Sequence, residues 1–91
     1  MHAVVVNATI DSNRTDEAKA NLEANVVPMV KQSPGAVCGY WLVPEKGRGL
    51  SMVIFDSEET ARAAAEMVPN VPRPDFVTID TIEVREIAAQ F

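Results

Sequence analysis

The chain has 91 residues, of which 47% are hydrophobic and 23% are charged, and its net charge is −5. This length indicates one domain over residues 1–91 with a single modest core. The composition is typical of globular rather than disordered chains. The acidic balance, with lysines and arginines scattered along the chain, argues against nucleic acid and against an anionic membrane surface as partners.

Cys38 is the only cysteine, which excludes an internal disulfide and a cysteine-based zinc cluster. The first residues, MHAVVVNATIDSN, lack the basic start and long apolar centre of a secretory signal. No apolar run approaches the roughly 20 residues that cross a bilayer. We therefore expect a cytoplasmic protein without a membrane span.

The first predicted element is a β-strand at residues 3–10, AVVVNATI, in which β-branched side chains dominate. Alternation places Asn7 on the opposite side of this strand from Val6. The polar and acidic residues that follow predict a helix over about residues 15–32, where apolar residues recur at spacings of three and four. Pro28 interrupts that pattern, because proline removes a helical hydrogen bond and clashes with the preceding turn. We expect a kink there or an early end.

A β-hairpin follows the first helix. Its predicted strands cover about residues 36–43 and 49–56, and the turn between them is rich in glycine and charge. Asp56 or Ser57 then caps a second helix, which has two glutamates in its first turn. The buried stripe of that helix is mostly alanine, so the sequence predicts close packing on a sheet.

The last strand begins near Phe76 and changes phase along its length. Its branched apolar residues occupy odd positions before residue 80 and even positions after it. A strict period of two cannot produce this change, so we predict a β-bulge around Asp80 and Thr81.

The order of elements, βαββαβ, predicts an α+β fold of the ferredoxin-like sandwich type, with both helices on one face of a four-stranded antiparallel sheet. The hairpin strands are apolar on both sides, since Tyr40 and Met52 alternate with Trp41 and Val53. Leaving such side chains in water would forfeit roughly 1.5–3 kcal/mol for each large one. We expect a second copy of the chain to cover the free face, giving a homodimer.

Three segments carry a resemblance to a known family: QSPGAVCGYW at residues 32–41, GRGLSMVIFDSEETARAAAE at 47–66 and IEVREI at 82–87. In this order of elements the chain resembles the dimeric α+β barrel superfamily, and within it the small proteins grouped with antibiotic biosynthesis monooxygenases. The resemblance implies two sheets that meet as a barrel, with a small cavity between each sheet and its own helices. It also implies a small aromatic ligand. The family includes monooxygenases that use no cofactor, haem-degrading enzymes and many members without a known activity.

Asn7 and Trp41 are the candidate catalytic residues. Monooxygenases of the family often carry an asparagine on the first strand, where its amide could stabilise negative charge on a reacting substrate. The alternative for Asn7 is structural, because a buried amide needs hydrogen-bond partners at a bulge or sheet edge. The indole N–H of Trp41 could orient a ligand, and the alternative is packing in the core or the dimer interface.

Two features of the family have no counterpart here. The resemblance would place a catalytic tryptophan and a haem-ligating histidine near the second helix, and residues 57–75 contain neither. The only histidine, His2, is expected in solvent, and Cys38 is expected as a small buried hydrophobe. No metal site and no cofactor are expected.

These observations favour a homodimer that binds a small apolar or aromatic molecule. Monooxygenase-like activity without metal or flavin is what the resemblance implies. The alternative is a non-catalytic binding or protein-interaction domain.

Overall fold

A computed structural model describes residues Met1–Phe91 and contains one antiparallel sheet of four strands in the order β2-β3-β1-β4. The helices pack on one face of this sheet. The predicted ferredoxin-like α+β fold is confirmed. The strands are β1, His2–Ile10; β2, Ala36–Trp41; β3, Arg48–Phe55; and β4, Val77–Glu86.

The first helical region is continuous from the 3₁₀ turn Ser12–Arg14 to residue 31 but changes its hydrogen-bonding pattern twice. Helix α1 covers Thr15–Asn21, a π-helical segment covers Leu22–Val26, and helix α2 covers Val27–Lys31. The early end predicted at Pro28 does not form, because the helical region continues to residue 31. Because proline has no N–H and its ring crowds the preceding turn, the helix widens just before it and then continues.

Helix α3, Glu58–Met67, begins as the sequence predicts. Ser57 is its N-cap, and the Ser57 hydroxyl accepts a hydrogen bond of 3.2 Å from the backbone N–H of Thr60. Ala61 faces the sheet, is fully buried and packs in a cluster with Val4, Val53 and Phe55. The small side chain lets this helix lie close to the strands. None of the helices combines the length and hydropathy needed to cross a bilayer.

Strand β4 contains the predicted bulge. Asn7 pairs with Thr81 and Ala8 pairs with Ile79, so Asp80 is an extra residue with no pairing partner on β1. The bulge brings both halves of β4 into phase. Val77 and Ile79 before it and Ile82 and Val84 after it all lie on the helix-facing side, opposite the even-numbered residues of β1.

Strand β2 contains a second bulge that the sequence analysis did not predict. Ala36 pairs with Phe55 and Cys38 pairs with Ile54, which leaves Val37 as the extra residue. Simple alternation placed Ala36 on the same side as Cys38, and this is wrong. Ala36 packs against the helix-facing core, whereas Cys38 lies on the other side of the sheet and is exposed.

The sheet face away from the helices is exposed in the single chain. We call it the open face, and its residues from β1, β2 and β3 are mostly apolar. Tyr40 is 59% exposed and Met52 is 42% exposed. Only β4 contributes a polar row there. The open face includes Ala3, Val5, Asn7, Cys38, Tyr40, Leu50, Met52, Ile54, Thr81, Glu83 and Arg85.

Candidate functional site

A cleft of about 500 Å³ lies between the helix-facing side of the sheet and the helices. We call it the helix–sheet cleft. Of its 31 lining residues, 21 are hydrophobic. The fully packed core is small, since only seven side chains are buried. A volume of this size is within the range of small-molecule sites and larger than a packing defect.

The floor and one wall of the helix–sheet cleft come from β1 and the first helical region. Val6 and Ala8 of β1 face the cleft because the even-numbered residues of that strand point toward the helices. Leu22, Val26 and Met29 form the helical wall. They project from the π-helical segment and from α2, so the widened turn before Pro28 is part of the wall itself.

Helix α3 and the proline-rich connection after it form the opposite wall. Ala64 and Met67 of α3 border the cleft, and Val71, Pro72 and Pro74 continue the border toward β4. Prolines hold this connection extended without backbone N–H donors, so it presents apolar rings to the cleft rather than a hydrogen-bonded ladder.

Trp41 lies at the cleft and is the only tryptophan of the chain. Its six-membered ring covers Gly39, two residues earlier on the same side of β2. A Cβ atom built on Gly39 would lie 2.9 Å from Cζ3 and 3.0 Å from Cη2 of the indole. The absence of a side chain at Gly39 therefore creates the space in which the indole rests against the sheet.

Asn7 lies on the open face, on the other side of the sheet from Trp41. Its Nδ2 donates a hydrogen bond of 2.9 Å to Oγ1 of Thr81, beside the bulge at Asp80. The neighbouring Thr9 hydroxyl donates to Asp80 Oδ2 at 2.6 Å. The structure thus places Trp41 at the cleft and gives Asn7 a partner next to the bulge. It does not bring the two candidate residues into one site.

Arg73 is a site residue that the sequence analysis missed. It is the only charged residue among those that line the helix–sheet cleft. It lies in the proline-rich connection, where no periodicity indicates which side chains point inward. The signal in the sequence was a lone arginine between Pro72 and Pro74, in a segment otherwise free of basic residues.

Three further titratable residues, His2, Cys38 and Arg85, lie outside the cleft. His2 begins β1 and is half-buried rather than solvated, and its Nδ1 has no hydrogen-bond partner. Cys38 is exposed on the open face, so the expectation of a buried thiol does not hold for the single chain. Arg85 lies 3.6 Å from Glu83, also on the open face.

The shifted pKa values belong to exposed helix pairs. A hydrogen bond from Arg62 lowers the pKa of Glu58, and a hydrogen bond from Arg14 lowers the pKa of Glu17. The distances between the paired atoms are 2.7 Å and 2.8 Å. Neither pair borders the helix–sheet cleft, so both are surface features of their helices rather than part of the candidate site.

Comparison with known proteins shows a similarity to a solved structure. No protein-family model matches the chain, and no curated protein matches it. The chain is similar to the haem degrader MhuD from Mycobacterium tuberculosis, whose structure has two haems bound in its active site. The TM-score is 0.72 and the identity 21%, over 98% of each chain.

The two chains share a fold. At this identity the likeness extends to architecture and not to activity. It confirms, for the single chain, the architecture that the resemblance to the dimeric α+β barrel superfamily implied.

Proposed function

We propose that this protein binds a small, largely apolar molecule in the helix–sheet cleft. The observation that carries the proposal is the cleft itself, which has an apolar lining and a volume of about 500 Å³. Met29 on its wall is 42% exposed, and Trp41 and Leu22 are only half-buried. A bound apolar molecule would remove these side chains from water, at roughly 25 cal/mol for each Å² covered.

A monooxygenase-like reaction without a cofactor is the catalytic form of this proposal. In such chemistry the protein orients a phenolate, excludes water and stabilises the developing charge. Trp41 borders the cleft and can contact a molecule there, but Asn7 lies across the sheet. This geometry favours binding in the cleft over catalysis by both residues together, so the non-catalytic alternative has the stronger support.

Haem does not fit the residues of this cleft. The lining contains no histidine, cysteine or tyrosine, and its only potential iron ligands are the thioethers of Met29 and Met67, which in cytochromes c act together with a histidine. His2, the only histidine, is outside the lining. The haems bound by MhuD therefore give no reason to assign haem to this chain.

We further propose that a second copy of the chain covers the open face. The apolar residues of β1, β2 and β3 on this face form a continuous patch, with Tyr40, Met52 and Val5 paired in one row across three strands. An antiparallel sheet that faces water normally shows polar residues there. In a dimer with a twofold axis, one self-complementary surface covers the apolar face of both chains.

Binding in the cleft can be measured through Trp41, since no other tryptophan contributes to the emission. Titration with a tricyclic phenol such as dithranol should quench the fluorescence and saturate. Ala64→Phe, which places a ring in the cleft, should abolish the saturable quenching. Ala20→Phe, on an exposed part of α1 away from the cleft, should not change it. Quenching that persists unchanged in a folded Ala64→Phe protein would contradict the proposal.

The catalytic form is tested separately by oxygen consumption with the same phenol. Activity that disappears in Trp41→Phe or in Asn7→Ala would support an enzyme. If the unmodified protein binds the phenol saturably but takes up no oxygen, the result supports a non-catalytic binding domain.

The dimer is tested by sedimentation. We expect the unmodified chain to sediment as a dimer of 9.9 kDa subunits at micromolar concentration. Met52→Asp should produce monomers, because it places a charge in the covered patch. Ala20→Asp adds the same charge on an exposed helix and should remain dimeric. A monomeric unmodified chain would refute this part of the proposal.

A further inference from the structure

Arg73 borders the helix–sheet cleft without a carboxylate partner. The three ion pairs of the structure involve Arg14, Arg62 and Arg85. The one hydrogen bond of the Arg73 side chain joins Nη1 to the backbone oxygen of Pro69 at 3.4 Å. A guanidinium has five N–H donors, so most of those on Arg73 have no protein acceptor.

The helix–sheet cleft continues beside Arg73 into a second groove. Asn21 and Asn25 line this groove together with Arg73. Its other lining residues are the apolar Val26, Met29, Val71 and Pro72. Nδ2 of Asn25 donates a hydrogen bond of 2.9 Å to Oδ1 of Asn21. The Nδ2 of Asn21 keeps its N–H donors, and the Oδ1 of Asn25 remains an acceptor. The mouth of an otherwise apolar cleft thus presents one positive charge beside two amide groups, and no acidic residue lines either the cleft or the groove.

We infer that the molecule bound in the cleft is an apolar carboxylic acid, with its hydrocarbon or aromatic body in the cleft and its carboxylate at the mouth against Arg73. This inference rests on the proposed binding function and names its ligand class. The planar guanidinium matches a carboxylate in geometry and can donate two parallel hydrogen bonds. Apolar walls on one side of the pair strengthen the attraction relative to open water.

The net charge of the chain makes the position of this arginine informative. At −5 the protein repels anions as a whole. A carboxylate ligand therefore needs a local positive group at the site, and Arg73 is the one that the cleft supplies. A neutral apolar ligand would need no such group, because Arg73 is exposed and can keep its contact with water.

The test compares two fluorescent probes of nearly equal shape, 1-pyrenebutyrate and the neutral 1-pyrenebutanol. Binding is measured by energy transfer from Trp41. Arg73→Gln should weaken binding of the carboxylate about five- to tenfold and change binding of the alcohol by less than about twofold. Arg73→Lys keeps the charge but loses the paired donors, and should weaken carboxylate binding by only about two- to threefold.

Arg62→Gln is the matched control, since it removes the same charge from an exposed part of α3 outside the cleft and the groove. It should leave the affinity for both probes unchanged. The inference is overturned if Arg73→Gln weakens both probes equally, if it weakens neither, or if Arg62→Gln has the same effect. In those cases binding in the cleft still stands. If neither probe binds to the unmodified protein, the proposed function and this inference both fail.

Discussion

Replacing Gly39 with alanine tests the position of the Trp41 ring. The new Cβ would lie 2.9 Å and 3.0 Å from two indole carbons and 3.3 Å from Cγ2 of Val53. Carbon atoms in ordinary contact are about 3.5–4.0 Å apart, so the indole must move by about 0.5–1 Å. Such overpacking costs about 1–3 kcal/mol, and the lower freedom of alanine in the unfolded chain offsets about 0.4–1 kcal/mol of this.

We therefore expect Gly39→Ala to lower the free energy of unfolding by up to about 2.5 kcal/mol. Urea denaturation followed by circular dichroism gives this value without using the altered tryptophan. The same change in a Trp41→Phe background should cost at least about 0.5 kcal/mol less, because the smaller ring does not reach the new methyl group. Equal costs in the two backgrounds would show that the indole does not lie over Gly39.

Three further predictions concern the scaffold. Ser57→Ala removes the N-cap of α3 and should lower the free energy of unfolding by about 1 kcal/mol in urea denaturation; an unchanged value would contradict the capping role. Lys46 has a φ of 53° in the hairpin turn, so Lys46→Gly should raise the thermal midpoint, and a lower midpoint would contradict strain at that residue. Arg62 lowers the pKa of Glu58 below its ordinary value of 4.5, so the pair stabilises α3 above that pH and the effect is lost as the pH falls through the lowered pKa. The thermal midpoint of Arg62→Gln should therefore vary less with pH below 4.5 than that of the unmodified chain, and identical pH profiles would refute the coupling.

Most of the fold follows from the spacing of apolar residues along each strand and helix. The change of parity in β4 predicts the bulge at Asp80, because the apolar residues must all reach one core. The bulge at Val37 could not be predicted in this way, because β2 is apolar on both sides and a one-residue shift does not change its hydrophobic pattern. The π-helical segment Leu22–Val26 could not be predicted either, because apolar spacings of three and four are compatible with either helix type.

The candidate site was only partly predictable. The sequence places Asn7 and Trp41 on strands, but which faces they share depends on the register between β1, β3 and β2. That register is a tertiary property, and it separates the two residues. Arg73 could not be assigned at all, because its position at the cleft depends on how a proline-rich connection without periodicity folds back over the sheet.

The extra residue at Asp80 makes the effect of a deletion in the last strand depend on where the deletion falls. Deleting Asp80 itself would remove the bulge and leave Ile79 and Val77 opposite Ala8 and Ile10, with the same side chains facing the helices. Deleting Thr78 instead, with the bulge kept, would turn Val77 to the open face. Among relatives of this chain, a single-residue gap at the position of Asp80 should therefore be tolerated, whereas a single-residue gap between Asp80 and the start of the strand should occur only with a compensating insertion nearby.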